Sequence, residues 1–67
     1  MAIELLTIGT ELLLGHTVDT NSAEIGRALA AAGVPVLRRT SVTDDPAAIR
    51  EAARAALQRT GAFLATG

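Results

Sequence analysis

The chain has no cysteine, no tryptophan, no tyrosine and no lysine, and a single phenylalanine, Phe63. Without cysteine there is no disulfide to stabilise it, no thiolate nucleophile and no cysteine-based zinc site. With so few aromatics the core is thin: 49% of the residues are hydrophobic, but alanine supplies much of that share. At 67 residues there is room for one small domain, and a chain of this size buries only ~60% of its extended surface. An excess of either charge is missing too. Six basic residues, all arginine, face seven acidic ones for a net charge of −1, which is no footprint for nucleic acid. The one basic pair, Arg38 and Arg39, falls in a strand and points to opposite faces, as on a solvated edge. The opening Met1-Ala2-Ile3-Glu4 lacks the basic stretch of a secretory signal, and no apolar run is long enough to span a membrane. The expectation is a soluble cytoplasmic protein that binds neither nucleic acid nor membrane.

What is present is an alternation of apolar runs and amphipathic stretches. Residues 2–8 read as a strand. Ile3, Leu5, Leu6 and Ile8 populate both of its faces, as in a strand covered on both sides, and Gly9 ends it. Residues 21–32 read as a helix, with Asn21 as N-cap and Glu24 three residues later in a capping-box arrangement. Ile25, Leu29 and Ala32, with Ala28 beside them, form its inward stripe, and Gly33 follows its end. Residues 34–42 read as a second strand, which Pro35 demotes to an edge position. Thr43-Asp44-Asp45 makes a turn, and Asp45 caps a second helix with Pro46 at its first position. Ile49, Ala53, Ala56 and Leu57 face inward, while Arg50, Arg54 and Gln58 face water. Gly61 stops this helix, and residues 62–66 form a third strand.

A βαβαβ order argues for a parallel sheet with helices on both faces, an α/β architecture. Right-handed crossovers and an edge position for the second strand give the spatial order 2-1-3, with one helix on each face. The switch point then falls between the carboxyl ends of strands one and three, where open α/β sheets bind ligands. Gly9-Thr10-Glu11 and Thr66-Gly67 meet there. The third strand would normally be covered by another, so the sequence is expected to be the first part of a larger α/β domain of ~100–150 residues.

The stretch from Gly9 to Asn21 is about twice the ~2–6 residues usual for a strand-to-helix loop, which marks it as functional. It fails the Walker A pattern, because five residues separate Gly9 from Gly15 and His16 follows. It fails the dinucleotide glycine fingerprint as well. What remains is a helix start at Thr20-Asn21-Ser22, whose free N–H groups suit either an anion or ordinary capping. Glu11, beside the switch point, suits a hydrated Mg²⁺ held against phosphates, a general base, or a plain surface carboxylate. Asp19 suits a second metal or ribose ligand, or a turn. His16 has no partner at metal-ligand spacing and reads as an exposed loop residue, and Asp44-Asp45 read as structural.

Ile8-Gly9-Thr10-Glu11-Leu12-Leu13-Leu14-Gly15, followed by Asp19-Thr20-Asn21, resembles the N-terminal signature of the competence/damage-inducible protein A (CinA) family, G-[TDN]-E-[LI]-L-x-G with a following [DN]-T-N. Val42-Thr43-Asp44 and the strand ending in Ala65-Thr66-Gly67 fall where that family has similar segments, so the resemblance covers essentially the whole chain. It implies a molybdopterin-binding-like α/β/α domain, related to the MogA/MoaB and MoeA proteins of molybdenum cofactor biosynthesis, with a sheet that begins 2-1-3. It further implies a divalent-metal-dependent ADP-ribose pyrophosphatase assisted by potassium, in pyridine-nucleotide recycling, and often a second domain that deamidates nicotinamide mononucleotide. Carried over by position, Glu11 faces the metal and pyrophosphate, with Asp19 as a second metal residue. Asp19, Thr20 and Asn21 line the same cleft, and Gly9 and Thr10 give close backbone approach. Thr66 and Gly67 open the family's T-G-G-x-G-P-T-x-D-D motif, whose remainder is absent from these residues. On that reading the 67 residues lack half of the site and are inactive alone, and the intact protein is a homodimer.

Two other readings compete. The same fold binds molybdopterin or a nucleotide without pyrophosphatase activity. Alternatively the chain is a non-catalytic module whose exposed apolar surface drives self-association.

Overall fold

The computed structural model describes residues 2–15 and 20–67, with Leu12 described by its backbone alone. Its elements are β1 (Ile3–Ile8), α1 (Thr10–Leu13), α2 (Thr20–Ala31), β2 (Val36–Val42), α3 (Pro46–Arg59) and β3 (Phe63–Thr66). The three strands form one parallel sheet in the order β2-β1-β3. This is the α/β arrangement expected from the apolar runs and from Pro35, whose N-H-less backbone precedes an edge strand.

β1 sits in the centre and is covered on both faces: Glu4, Leu5, Leu6 and Thr7 are all buried in succession. Successive side chains alternate, so Glu4 and Leu6 share one face and Leu5 and Thr7 the other. Arg59 of α3 reaches Glu4, which places α3 over the first of these faces. Right-handed crossovers put α2 over the other. Among the described residues, Leu5, Leu6, Val42 and Ala56 are the buried apolar side chains, and burying each leucine is worth roughly 1.5–3 kcal/mol. So small a core follows from an alanine-rich chain with one aromatic.

The β1–β2 register steps from Ile3↔Val36 to Glu4↔Arg38. Leu37 is therefore the extra residue of a bulge, and its side chain is exposed. On the other side Glu4↔Phe63 through Thr7↔Thr66 run without a slip.

Four details of the helices depart from the sequence pattern. α2 starts at Thr20, one residue before the expected cap, so Asn21 lies within its first turn. Its inward side is Ser22, Ile25, Gly26 and Leu29, at i, i+3, i+4, i+7, whereas Ala28 and Ala32 are exposed. The inward stripe thus begins in the first turn, at Ser22, and Ala32 falls beyond the helix. In α3, Asp45 caps as expected, its Oδ2 accepting the Ala48 N–H at 3.2 Å with Pro46 following. Ile49, Ala52, Ala53 and Ala56 continue inward, and the same spacing leads on to Arg59. Leu57 falls to the side of this stripe and is 51% exposed. The expected loop after β1 contains a short helix, α1, and Gly33 follows α2 with a φ of +82° that a glycine adopts readily.

Candidate functional site

The carboxyl ends of the three strands are held together by contacts from the loops that leave them. The Gly9 N–H donates to the Val42 carbonyl at 2.9 Å, tying the end of β1 to the end of β2. Thr10 Oγ1 accepts the Asp44 N–H at 3.3 Å, which joins the first turn of α1 to the turn before α3. Asp44, read from the sequence as structural, thus fixes a candidate site residue through its backbone. On the other side, Asn21 Nδ2 donates to Thr66 Oγ1 at 3.1 Å, so the first turn of α2 is tied to the end of β3. Gly67 lies against Ile8: a Cβ at Gly67 would stand 3.3 Å from the Ile8 carbonyl oxygen.

Asn21 therefore does not act as an N-cap. Its side chain bridges two elements, and Thr20 takes the first helical position, exposed to solvent. Thr66 keeps its own hydroxyl proton while accepting from Asn21, so it can donate outward. Beneath this rim, Thr7 and Ser41 are in register and their hydroxyls lie 2.9 Å apart. They face α2, on the same side as Thr66, which pairs with Thr7.

Glu11 is exposed in the first turn of α1. Its carboxylate folds back on the strand end, where a Cβ on Gly9 would lie 2.6 Å from Oε1. Gly9, Thr10, Glu11, Asn21, Thr66 and Gly67 thus all stand at the carboxyl end of the sheet, Gly9 and Thr10 tied to the β2 side and Asn21 tied to Thr66 of β3. His16 and Asp19 lie outside the described residues. Among the described residues no group of three or more His, Cys, Asp and Glu side chains could hold a metal ion. A single carboxylate fits only a largely hydrated cation shared with a ligand's phosphates, not a protein cage.

The opposite end holds a pair that the sequence reading passed over. Glu4 is fully buried, and Arg59 grips it through both nitrogens of one fork: Nε to Oε2 at 3.0 Å and Nη2 to Oε1 at 2.7 Å. The Arg59 hydrogen bonds hold the Glu4 carboxyl below its usual range against the opposing effect of burial, with the charges of Arg59 and Arg38 adding to them. A carboxylate inside a strand buried on both faces was the available signal, since such a charge requires a partner. Shallow depressions also run along the solvent side of α3, lined by Arg50, Arg54 and Gln58. They lie along one helix face, away from the strand ends.

Comparison with known proteins agrees with this arrangement. The family model described as "Probable molybdopterin binding domain" matches residues 4–67. A CinA-like protein of Gemmatimonas aurantiaca is 54% identical over 67 residues, which is 100% of this chain and 16% of that protein. A CinA-like protein of Dictyoglomus thermophilum is 43% identical over the same shares. Among solved structures, one described as the protein CinA with unknown function from Thermoplasma acidophilum matches with a TM-score of 0.92 and 38% identity, covering 98% of this chain and 39% of that one. The chain thus spans 16% of the length of these curated relatives. With a 2-1-3 parallel sheet, loops gathered at its carboxyl end and relatives along its whole length, the chain belongs to the "Probable molybdopterin binding domain" family, and its relatives in that family are CinA-like proteins.

Proposed function

We propose that the domain built on these residues is a metal-dependent pyrophosphatase for an ADP-ribose-like dinucleotide, working in pyridine-nucleotide recycling in the cytoplasm as a homodimer. The observation that supports this most is the gathering of Glu11, Asn21 and Thr66 at the carboxyl ends of adjacent strands. In this reading the Thr66 hydroxyl, held by Asn21, donates to a phosphate oxygen. Glu11 offers a carboxylate for the charge that accompanies the diphosphate or for a proton from water. Thr20 and Asn21 open α2, whose first N–H groups favour an anion. A divalent cation, Mg²⁺ with potassium assisting, would supply charge neutralisation at the diphosphate, with Glu11 and Asp19 as its protein-side residues. These 67 residues form one wall of the cleft in this proposal, and turnover requires the glycine-rich phosphate loop of the larger domain.

The second reading is a molybdopterin- or nucleotide-binding protein without hydrolysis, favoured by the description of the matching family. Calorimetry of ADP-ribose with Mg²⁺ separates them. Saturable binding that disappears in Glu11→Ala, together with hydrolysis of ADP-ribose to AMP and ribose 5-phosphate by the chain extended through the glycine-rich motif, supports the first; binding without hydrolysis supports the second. If neither this chain nor one extended through the glycine-rich motif binds ADP-ribose while molybdopterin binds, the first reading is lost to the second.

A further inference from the structure

Glycines at strand ends are commonly read as gaps through which a ligand approaches the backbone. At Gly9 the gap is filled by the chain itself. Gly9 is buried, and its N–H is already held by the Val42 carbonyl. A Cβ at this position would lie 2.6 Å from Glu11 Oε1, 3.0 Å from Cδ and 3.1 Å from Oε2. Side-chain atoms do not pack at 2.6 Å from a Cβ, so the carboxylate occupies a space that exists only because residue 9 has no side chain. The similar distances to both oxygens and to Cδ mean that the whole carboxylate group lies against Gly9. The φ of +157° is a second requirement for glycine at the same position. Thr10 is fixed by the Asp44 N–H, so the Glu11 side chain starts from an anchored turn.

We propose that Gly9 is a positioning residue for Glu11: its missing side chain leaves open a seat, the space over the carboxyl end of the central strand that the Glu11 carboxylate occupies. From there the carboxylate faces a hydrogen-bond-donating or cationic part of a ligand with a fixed geometry, where a solvent-directed glutamate would have to be ordered on binding. The functional half of this inference rests on the strand-end site of the preceding section, but the seat itself does not.

The test uses the 67-residue chain. In NMR spectra a cross-relaxation peak between the Gly9 α protons and the Glu11 γ protons is expected, and it is expected to vanish in Gly9→Ala. Binding of ADP-ribose with Mg²⁺ is expected to weaken about tenfold or more in Gly9→Ala, approaching Glu11→Ala. Glu11→Asp is the companion variant, because it keeps the charge and leaves Gly9 alone but is one methylene too short to reach the seat. It should keep the thermal stability of the parent chain and lose binding to the same extent. The proposal is overturned if the peak is absent in the parent chain, or if Glu11→Asp binds as the parent does while Glu11→Ala does not. Should Gly9→Ala fail to fold, Glu11→Asp decides. If the 67-residue chain does not bind ADP-ribose, the same variants are compared in the chain extended through the glycine-rich motif; failure of that chain to bind counts against the pyrophosphatase reading, while the proton contact still decides the seat.

Discussion

Glu4 and Glu11 flank the same strand, one at its amino end and one just past its carboxyl end, and their surroundings are opposite. Glu4 is buried, and both of its oxygens are held by Arg59 from a helix packed across the sheet. Glu11 is exposed, lies on a glycine and is joined to no cation among the described residues. The difference follows from the parallel topology. At the amino end of β1 the last turn of α3 closes over the sheet, so a charge there must be satisfied within the fold. At the carboxyl end the chain leaves into α1 and α2, and polar groups converge without closing the surface. One end of the strand holds the fold together, and the other leaves its polar groups exposed.

Arg59→Ala should have the largest effect on stability, because it strands a buried carboxylate. The chain should lose its cooperative urea transition, and Glu4→Leu added to Arg59→Ala should restore most of it. If Arg59→Ala unfolds no more easily than Glu11→Ala, the contrast between the two ends is wrong. Acid should act through the same pair. The folded Glu4 carboxyl ionises below its ordinary value of 4.5, so its contribution to stability is complete above the unfolded value and is lost as pH falls through the lower folded one. The loss of helical signal on acidification should therefore have a smaller pH dependence below about pH 4.5 in Glu4→Gln. An unchanged acid profile in that variant would assign acid unfolding elsewhere. Next comes the cap of α3, next to the turn that pins Thr10: Asp45→Ala should cost about 1 kcal/mol in chemical denaturation, through the lost Ala48 N–H bond. Smallest of all, Glu11→Gln should stay within about 0.5 kcal/mol of the parent chain while changing ligand binding. A larger loss of stability would make Glu11 a structural residue.

The sheet order and the meeting of the strand ends could be read from local features: Pro35 ahead of β2, an apolar run in β1, Asp45-Pro46 before α3 and Gly9 at the end of β1. What could not be read depends on partners distant in the chain. Glu4 and Arg59 are separated by 55 positions and Asn21 and Thr66 by 45, and no periodicity records such pairings. Asn21 illustrates the conflict well. Its sequence context favours capping, but a hydroxyl from β3 takes its amide and the helix begins at Thr20. Leu57 was assigned by its apolar character, and the angular spacing set by Ile49, Ala53 and Ala56 leads to Arg59 instead.

The bulge at Leu37 makes the two borders of the sheet unequal. An extra residue, together with Pro35 ahead of it and the exposed guanidinium groups of Arg38 and Arg39, bends the outer row of β2 amides and charges it. β3 has none of these features: it is uncharged, free of proline and in unbroken register with β1. These features disfavour an added strand beside β2, and the plain border along Phe63–Thr66 is the one better suited to receive a strand.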